Sequence, residues 1–251
     1  MKRQLLVALI FMLCASWSKA SIDPQKVKPV KNIILMVSDG TSFSTISLAR
    51  WLQYYQDPSK PKLNLDPYLC GTVRTNCSDA PIGDSAPTTS CYVTGHASRA
   101  GYVASYPPDM GAANIDPIDP KKSYGPMATL LEAAKQLQGK STGFVVTCEF
   151  PHATPADVSA HYYNRGYYDG ISEQQVHNNL DVVIAGGNNY LNQEQENYLK
   201  EHGYTVCRND IAGMRNCKSD KMWALFNGTS MAYEIDRDPS KEPSLAEGVG
   251  I

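Results

Sequence analysis

Charge is scarce in this chain of 251 residues. Asp, Glu, Lys and Arg together make up 19% of it, and the formal net charge is −2. No run of basic residues occurs, and no basic patch is interleaved with aromatics. The composition therefore gives no electrostatic reason to expect nucleic acid as a partner. Beyond the first twenty residues no apolar stretch is long enough for a membrane helix. Cys-x-x-Cys is absent, and none of the cysteine spacings reads as a zinc knuckle. Internal repeats and low-complexity tracts are also missing. Histidine is limited to His96, His152, His161, His177 and His202. A G-x-S-x-G elbow is absent, which weighs against an ordinary serine esterase.

What is present begins with "MKRQLLVALIFMLCASWSKA". Lys2 and Arg3 open it, an apolar run from Leu5 to Ala15 follows, and small residues stand at Ser18 and Ala20. This pattern predicts a secretory signal peptide over 1–20, cut after Ala20, and a remaining chain of 21–251 that is exported to the periplasm or the extracellular space. The run is short for a bilayer span. Bulky Phe11, Met12 and Leu13 argue against lipid attachment at Cys14. Export places Cys70, Cys77, Cys91, Cys148, Cys207 and Cys217 in an oxidising compartment, where disulfides are expected. The pairs Cys70/Cys77 and Cys207/Cys217 are the nearest in sequence; connectivity stays open.

Apolar, strand-like runs recur in "NIILMVSDG" (32–40), "GTVRTN" (71–76), "TGFVVTCEF" (142–150), "DVVIAGG" (181–187) and "MWALF" (222–226). Helical patterns lie between several of them: "TISLARWLQYY" (45–55), "GPMATLLEAAKQLQG" (125–139) and "QEQENYLKEHG" (193–203). Continuous apolar strands alternating with helices predict an α/β fold with a mostly parallel central sheet and helices on both faces. In such sheets functional residues gather beyond the carboxyl ends of the strands.

That rule selects Asp39, in "VSDG", and His152 and Thr154, in "PHATPADVSAHYYNR". A third place is "PIGDSAPTTSCYVTG", where Asp84 and Ser85 open a short helix. Each has a bland alternative. Asp-Gly is a common turn pair. Ser85 and Asp84 suit a helix N-cap. Thr154, Pro155 and Asp157 suit another. Taken together, a carboxylate, a hydroxyl and an arginine fit phosphoryl transfer, which depends on positioning and charge stabilisation. Ser85 would be the nucleophile. Asp39 and Thr154 would offer oxygen ligands to a hard cation. Arg165 would grip phosphate oxygens with its planar fork. One straight helix would put Thr154 and Arg165 about 16 Å apart. A joint role therefore needs a shorter helix or an arginine that reaches back.

"KNIILMVSDGTS", "GDSAPTTSCYVTG", "ASRAGYV", "VTCEFPHATPADVSAHYYNR", "DVVIAGG" and "MWALFNGTSMAYEIDRDPSKEPSLAE" resemble, in that order, successive segments of alkaline phosphatase, from about Lys31 to Glu247. The resemblance implies a metal-dependent phosphate monoester hydrolase with two Zn2+ and one Mg2+, a phosphoserine intermediate, small phosphate monoesters as substrates and a homodimeric assembly. By position, Ser85 matches the serine that carries the phosphoryl group and Arg165 the phosphate-binding arginine. Asp39 matches the aspartate shared by the magnesium site and one zinc site, and Thr154 the hydroxyl ligand of magnesium. Ser85 is also counted among the metal ligands. His152 falls near the magnesium, behind its ligands, and Asp84 beside Arg165, where it is expected to help position the guanidinium.

Family members continue further, and their later segments supply most zinc ligands. "PSLAE" opens a helix with Ser244 and Glu247 as a capping box, and "GVGI" follows. The sequence thus predicts the N-terminal portion of an alkaline-phosphatase-like catalytic domain, incomplete at its C-terminus and weakly active or inactive. Two alternatives accompany that reading: a non-catalytic phosphate-binding or scaffold remnant, and a related phosphodiesterase or sulfatase. Threonine in place of arginine at the end of Ser85-Ala-Pro-Thr-Thr89 disfavours the sulfatase.

Overall fold

The computed structural model describes residues 30–73, 75–108 and 118–251. The predicted signal peptide lies outside them. By its internal contacts the chain divides into two units, 1–38 and 39–251. In the first, residues 30–38 form neither helix nor strand, and Ile33, Ile34 and Met36 are exposed. The strand-like run read over 32–40 therefore forms no strand: 32–38 carry no regular structure and 39–40 make a turn. Residues 71–73 and 75–76 form no strand either.

The second unit carries a four-stranded sheet: β1 (Gly143–Glu149), β2 (Val182–Gly186), β3 (Thr205–Arg208) and β4 (Met222–Phe226). The order is β1-β2-β4-β3, and every pairing is parallel. Val183 sits opposite Trp223 and Ile184 opposite Ala224. Because side chains alternate along a strand, this register sorts the apolar residues onto two faces. Val183, Ala185, Trp223 and Leu225 join one cluster, while Ile184, Met222, Ala224 and Phe226 join another. Both faces of β2 and β4 are thereby buried, which is why these strands read as continuous apolar runs.

Eight α-helices are described. They are α1 (Phe43–Gln56), α2 (Ser85–Val93), α3 (Leu130–Gln138), α4 (Ala153–Asp157), α5 (Tyr168–His177), α6 (Gln193–Glu201), α7 (Ile211–Asn216) and α8 (Leu245–Val249). Val176 of α5 and Leu199 of α6 cover one face of the sheet, with Leu131 of α3 packed against them. Met214 and Ile211 of α7 cover the other. Helices thus lie on both faces, as the alternating sequence predicts.

Local chemistry sets the helix ends. Thr129 and Glu132 form a reciprocal capping box at α3, and Gly139 ends the helix at φ 60. That left-handed position is the one glycine adopts without penalty. Asn192 and Gln195 cap α6 in the same way. At α8 only half of the expected box forms. Ser244 accepts the Glu247 amide at 3.0 Å, but the Glu247 carboxylate turns to Arg215, 2.6 Å from Nε. A charged partner outcompetes a backbone N–H for a carboxylate. The six cysteines from Cys70 to Cys217 are free thiols, so neither close pair is joined.

His161 ties three segments of this unit together. Its Nδ1 donates to the Ala104 carbonyl and its Nε2 to Glu132 Oε1, each at 2.8 Å. Both nitrogens donate only in the imidazolium form. Burial pulls the His161 pKa down, but the Glu132 and Ala104 bonds outweigh it and leave it raised. Burial pushes the Glu132 carboxyl up, and His161 with the Thr129 amide more than reverses that. The two signs bracket a window. The raised histidine contributes fully below about 6.5 and is lost as pH climbs through its folded value. The lowered glutamate contributes above about 4.5 and is lost as pH falls. Thermal stability is therefore expected to decline from pH 6 to pH 8.5. Glu132→Gln should lower the pH 6 melting temperature by about 2–4 °C and flatten that decline, as differential scanning calorimetry would register.

Candidate active site

Ser85 is the first residue of α2, with Asp84 at the N-cap in an extended conformation. Asp84 does not cap the helix with its side chain. Its carboxylate accepts Arg165 Nη1 at 2.6 Å and the Gly101 amide at 3.0 Å. The same Nη1 donates to Ser85 Oγ at 2.9 Å. Burial raises the Asp84 pKa, but Arg165 and the Gly101 amide outweigh it and hold the carboxyl below its usual range. At the start of α2 an ionised carboxylate, a serine hydroxyl and a guanidinium thus meet beside the free N–H groups and positive end of a helix.

Arg165 reaches this point because α4 is short. The helix stops at Asp157, and the loop after it returns to place the Arg165 amide 2.8 Å from the Gly101 carbonyl. The tension between Thr154 and Arg165 is resolved in this way. Thr154 is not an N-cap: that position belongs to His152, whose side chain makes no capping bond. Thr154 Oγ1 instead donates to Asp39 Oδ2 at 3.1 Å. Asp39 lies in a turn with Gly40 at φ 66, as Asp-Gly pairs commonly do.

His152, the N-cap residue of α4, touches the serine–arginine group. Its Nε2 is 3.4 Å from Arg165 Nη2. A guanidinium nitrogen only donates, so Nε2 accepts and the ring is neutral. Burial lowers the His152 pKa, and Arg165 lowers it further against the smaller pull of Glu149 and Asp39. Asp84, Ser85, His152 and Arg165 thus form one connected group, while Asp39 and Thr154 form a second.

Three neighbours escape the sequence reading. Glu149 ends β1 and accepts Ser230 Oγ at 3.0 Å; its place at a strand's carboxyl end was the available signal. The Tyr168 phenol is pushed up to about 12, first by burial and then by the Glu149 charge, with Arg165 opposing. Asp157, which by sequence is only a capping residue, is completely buried.

The donor set can be tested against the implied metals. Asp39 Oδ2 and Thr154 Oγ1, already within hydrogen-bonding distance, suit two ligands of an oxygen-preferring cation such as magnesium. Zinc is different. Among the described residues no three His, Cys, Asp or Glu side chains converge so as to hold a metal ion. A zinc site takes three or four such ligands, so the described residues do not fit a zinc pair.

Fold and cluster together define a parallel α/β protein in which a serine at a helix start faces an arginine beyond a strand's carboxyl end. Residues 30–251 match the family model for alkaline phosphatase, and the chain belongs to the alkaline phosphatase family. It is 34% identical to alkaline phosphatase 4 of Bacillus subtilis, over 91% of this chain and 49% of that protein. Against the alkaline phosphatase of Schizosaccharomyces pombe the identity is 30%, over 87% and 42%. The crystal structure of a cold-active alkaline phosphatase from a psychrophilic Shewanella superposes with a TM-score of 0.69 at 26% identity, covering 80% of this chain and 47% of that one. The chain spans about half the length of the curated relatives it matches.

Proposed function

We propose that this chain binds phosphate monoesters at Ser85 and Arg165, and that Ser85 Oγ accepts the phosphoryl group. The observation that carries the reading is a single nitrogen, Arg165 Nη1, shared between Ser85 Oγ and the Asp84 carboxylate. Asp84 holds the guanidinium over the serine. Arg165 offers its remaining donors to the phosphoryl oxygens, whose charge grows and spreads in the transition state. Ser85 Oγ forms the new bond to phosphorus as the P–O bond to the ester oxygen breaks, and the serine proton ends on that oxygen, which leaves as the alcohol. Water then releases phosphate and restores the serine. Neutral His152 keeps a second positive charge away from Arg165.

Asp39 and Thr154 would hold magnesium, which would supply positive charge beside the reacting phosphoryl group. Zinc does not fit the described donors, and that shortage favours a second reading, phosphate binding without turnover. Export after loss of residues 1–20, carried by the basic start, apolar run and small residues of that segment, and assembly as a homodimer, carried by the family resemblance, are further parts of the proposal. Among the described residues no helix is long and apolar enough to cross a membrane.

Hydrolysis of p-nitrophenyl phosphate with magnesium and zinc supplied, beside Ser85→Ala, tests the proposal. Slow, metal-dependent turnover that falls to the solution background in Ser85→Ala is expected. Turnover unchanged in Ser85→Ala would contradict the nucleophile. Phosphate binding with no turnover in any metal would leave the binding reading in its place.

A further inference from the structure

Asp157 is completely buried at the end of α4. Its Oδ1 takes donors from two other segments, Ser90 Oγ on α2 and the Ala104 amide at 2.8 Å. Its Oδ2 is buried without a partner. Neither bond serves α4 itself.

Both bonds lead to the proposed site. Ser90 belongs to α2, the helix that begins at Ser85. Ala104, at φ 35, stands in a region that alanine rarely occupies, so something must hold it there. Next to it, Val103 exchanges both backbone bonds with Tyr162, at 2.7 and 2.9 Å. Two residues further back, the Gly101 carbonyl takes the Arg165 amide, and the Gly101 amide donates to Asp84. The segment 101–105 is therefore the frame on which the backbone of Arg165 hangs.

We infer that Asp157 is a positioning residue: its Oδ1 fixes the helix that presents Ser85 against the segment that carries Arg165. The inference rests on the phosphate-site reading for its functional consequence, though not for its geometry. Burial raises the Asp157 carboxyl well above its usual range, more than the Ser90 and Ala104 bonds lower it; the Asp84 charge adds to the rise and Arg165 opposes it. Asparagine accordingly matches the neutral acid in shape and offers the same carbonyl to the same two donors. Alanine leaves the Ser90 hydroxyl and the Ala104 amide unpaired in the interior.

The test compares Asp157→Asn and Asp157→Ala by titration with inorganic phosphate and by amide hydrogen exchange. Asp157→Ala is expected to weaken phosphate binding about tenfold and to speed exchange at Val103, Tyr162 and Arg165 by a similar factor. Asp157→Asn should stay within about threefold of the parent on both measures. Leu199→Ala, which truncates a buried side chain of α6 and touches neither Asp157 bond, should lower stability and leave phosphate affinity unchanged. Should Asp157→Ala fail to fold, Ser90→Ala removes one donor and should give about a threefold loss on both measures. Parent-like affinity and protection in Asp157→Ala, or in Ser90→Ala where that variant stands in, would overturn the inference. So would an Asp157→Asn as impaired as Asp157→Ala. A parent chain that binds no phosphate would sink the site reading instead, and the exchange data would still decide whether Asp157 couples the two segments.

Discussion

Arg165→Ala is expected to weaken inorganic-phosphate binding by about 30- to 100-fold. A hydrogen bond to a charged group contributes about 1.5–3 kcal/mol, and each 1.4 kcal/mol is a factor of ten. The larger end applies because the loss is double. The guanidinium is removed, and Asp84 is left as a half-buried carboxylate beside the incoming anion. Arg165→Lys should recover less than about tenfold, since an ammonium is a point charge without the fork that spans Asp84 and Ser85. Asp84→Asn in the Arg165→Ala background should recover part of the loss by removing the stranded charge. Isothermal titration with phosphate measures all three. Parent-like affinity in Arg165→Ala would remove the arginine from the site.

The second large effect is on stability. Trp223→Ala should cost about 3–5 kcal/mol in urea unfolding, the range for truncating a buried large aromatic. Trp223, the second residue of β4, is fully buried, opposite Val183 and edge-on to Phe150 at 5.5 Å. Phe150 leads from β1 into His152, so a cavity beside it loosens the entry to α4 as well. Trp223→Phe should cost far less, about 1–2 kcal/mol, because the indole Nε1 has no hydrogen-bond partner to lose. Equal costs for the two variants would mean that ring contact with Phe150 does not organise this face of the sheet.

The sheet was readable in the sequence where burial on both faces left continuous apolar runs, as in β2 and β4. The run at 32–40 shows the limit of that signal. Its composition suits a strand, but a strand exists only where a neighbour pairs with it, and parallel pairing depends on distant segments. β3 fails in the opposite way: it is four residues long and ends in Arg208, so it carries little periodicity.

The site divides along the same line. Ser85 at a helix start and Arg165 downstream of a strand could be singled out locally. The bond from Thr154 to Asp39 spans 115 residues and is invisible to spacing. Asp157 was read as a capping residue because an aspartate near a helix start looks the same whether it caps or is buried. Only packing separates the two, and it places Ser90 and Ala104 on the same oxygen.

The central claim is that Ser85 Oγ receives the phosphoryl group. Its most direct test is acid quenching of the chain after incubation with p-nitrophenyl phosphate and magnesium, followed by mass mapping of peptides. A single phosphoryl group on the peptide carrying Ser85, absent from Ser85→Ala and strongly reduced in Arg165→Ala, is the predicted result. A phosphoryl group on any other residue, or none on Ser85 while turnover proceeds, would contradict it.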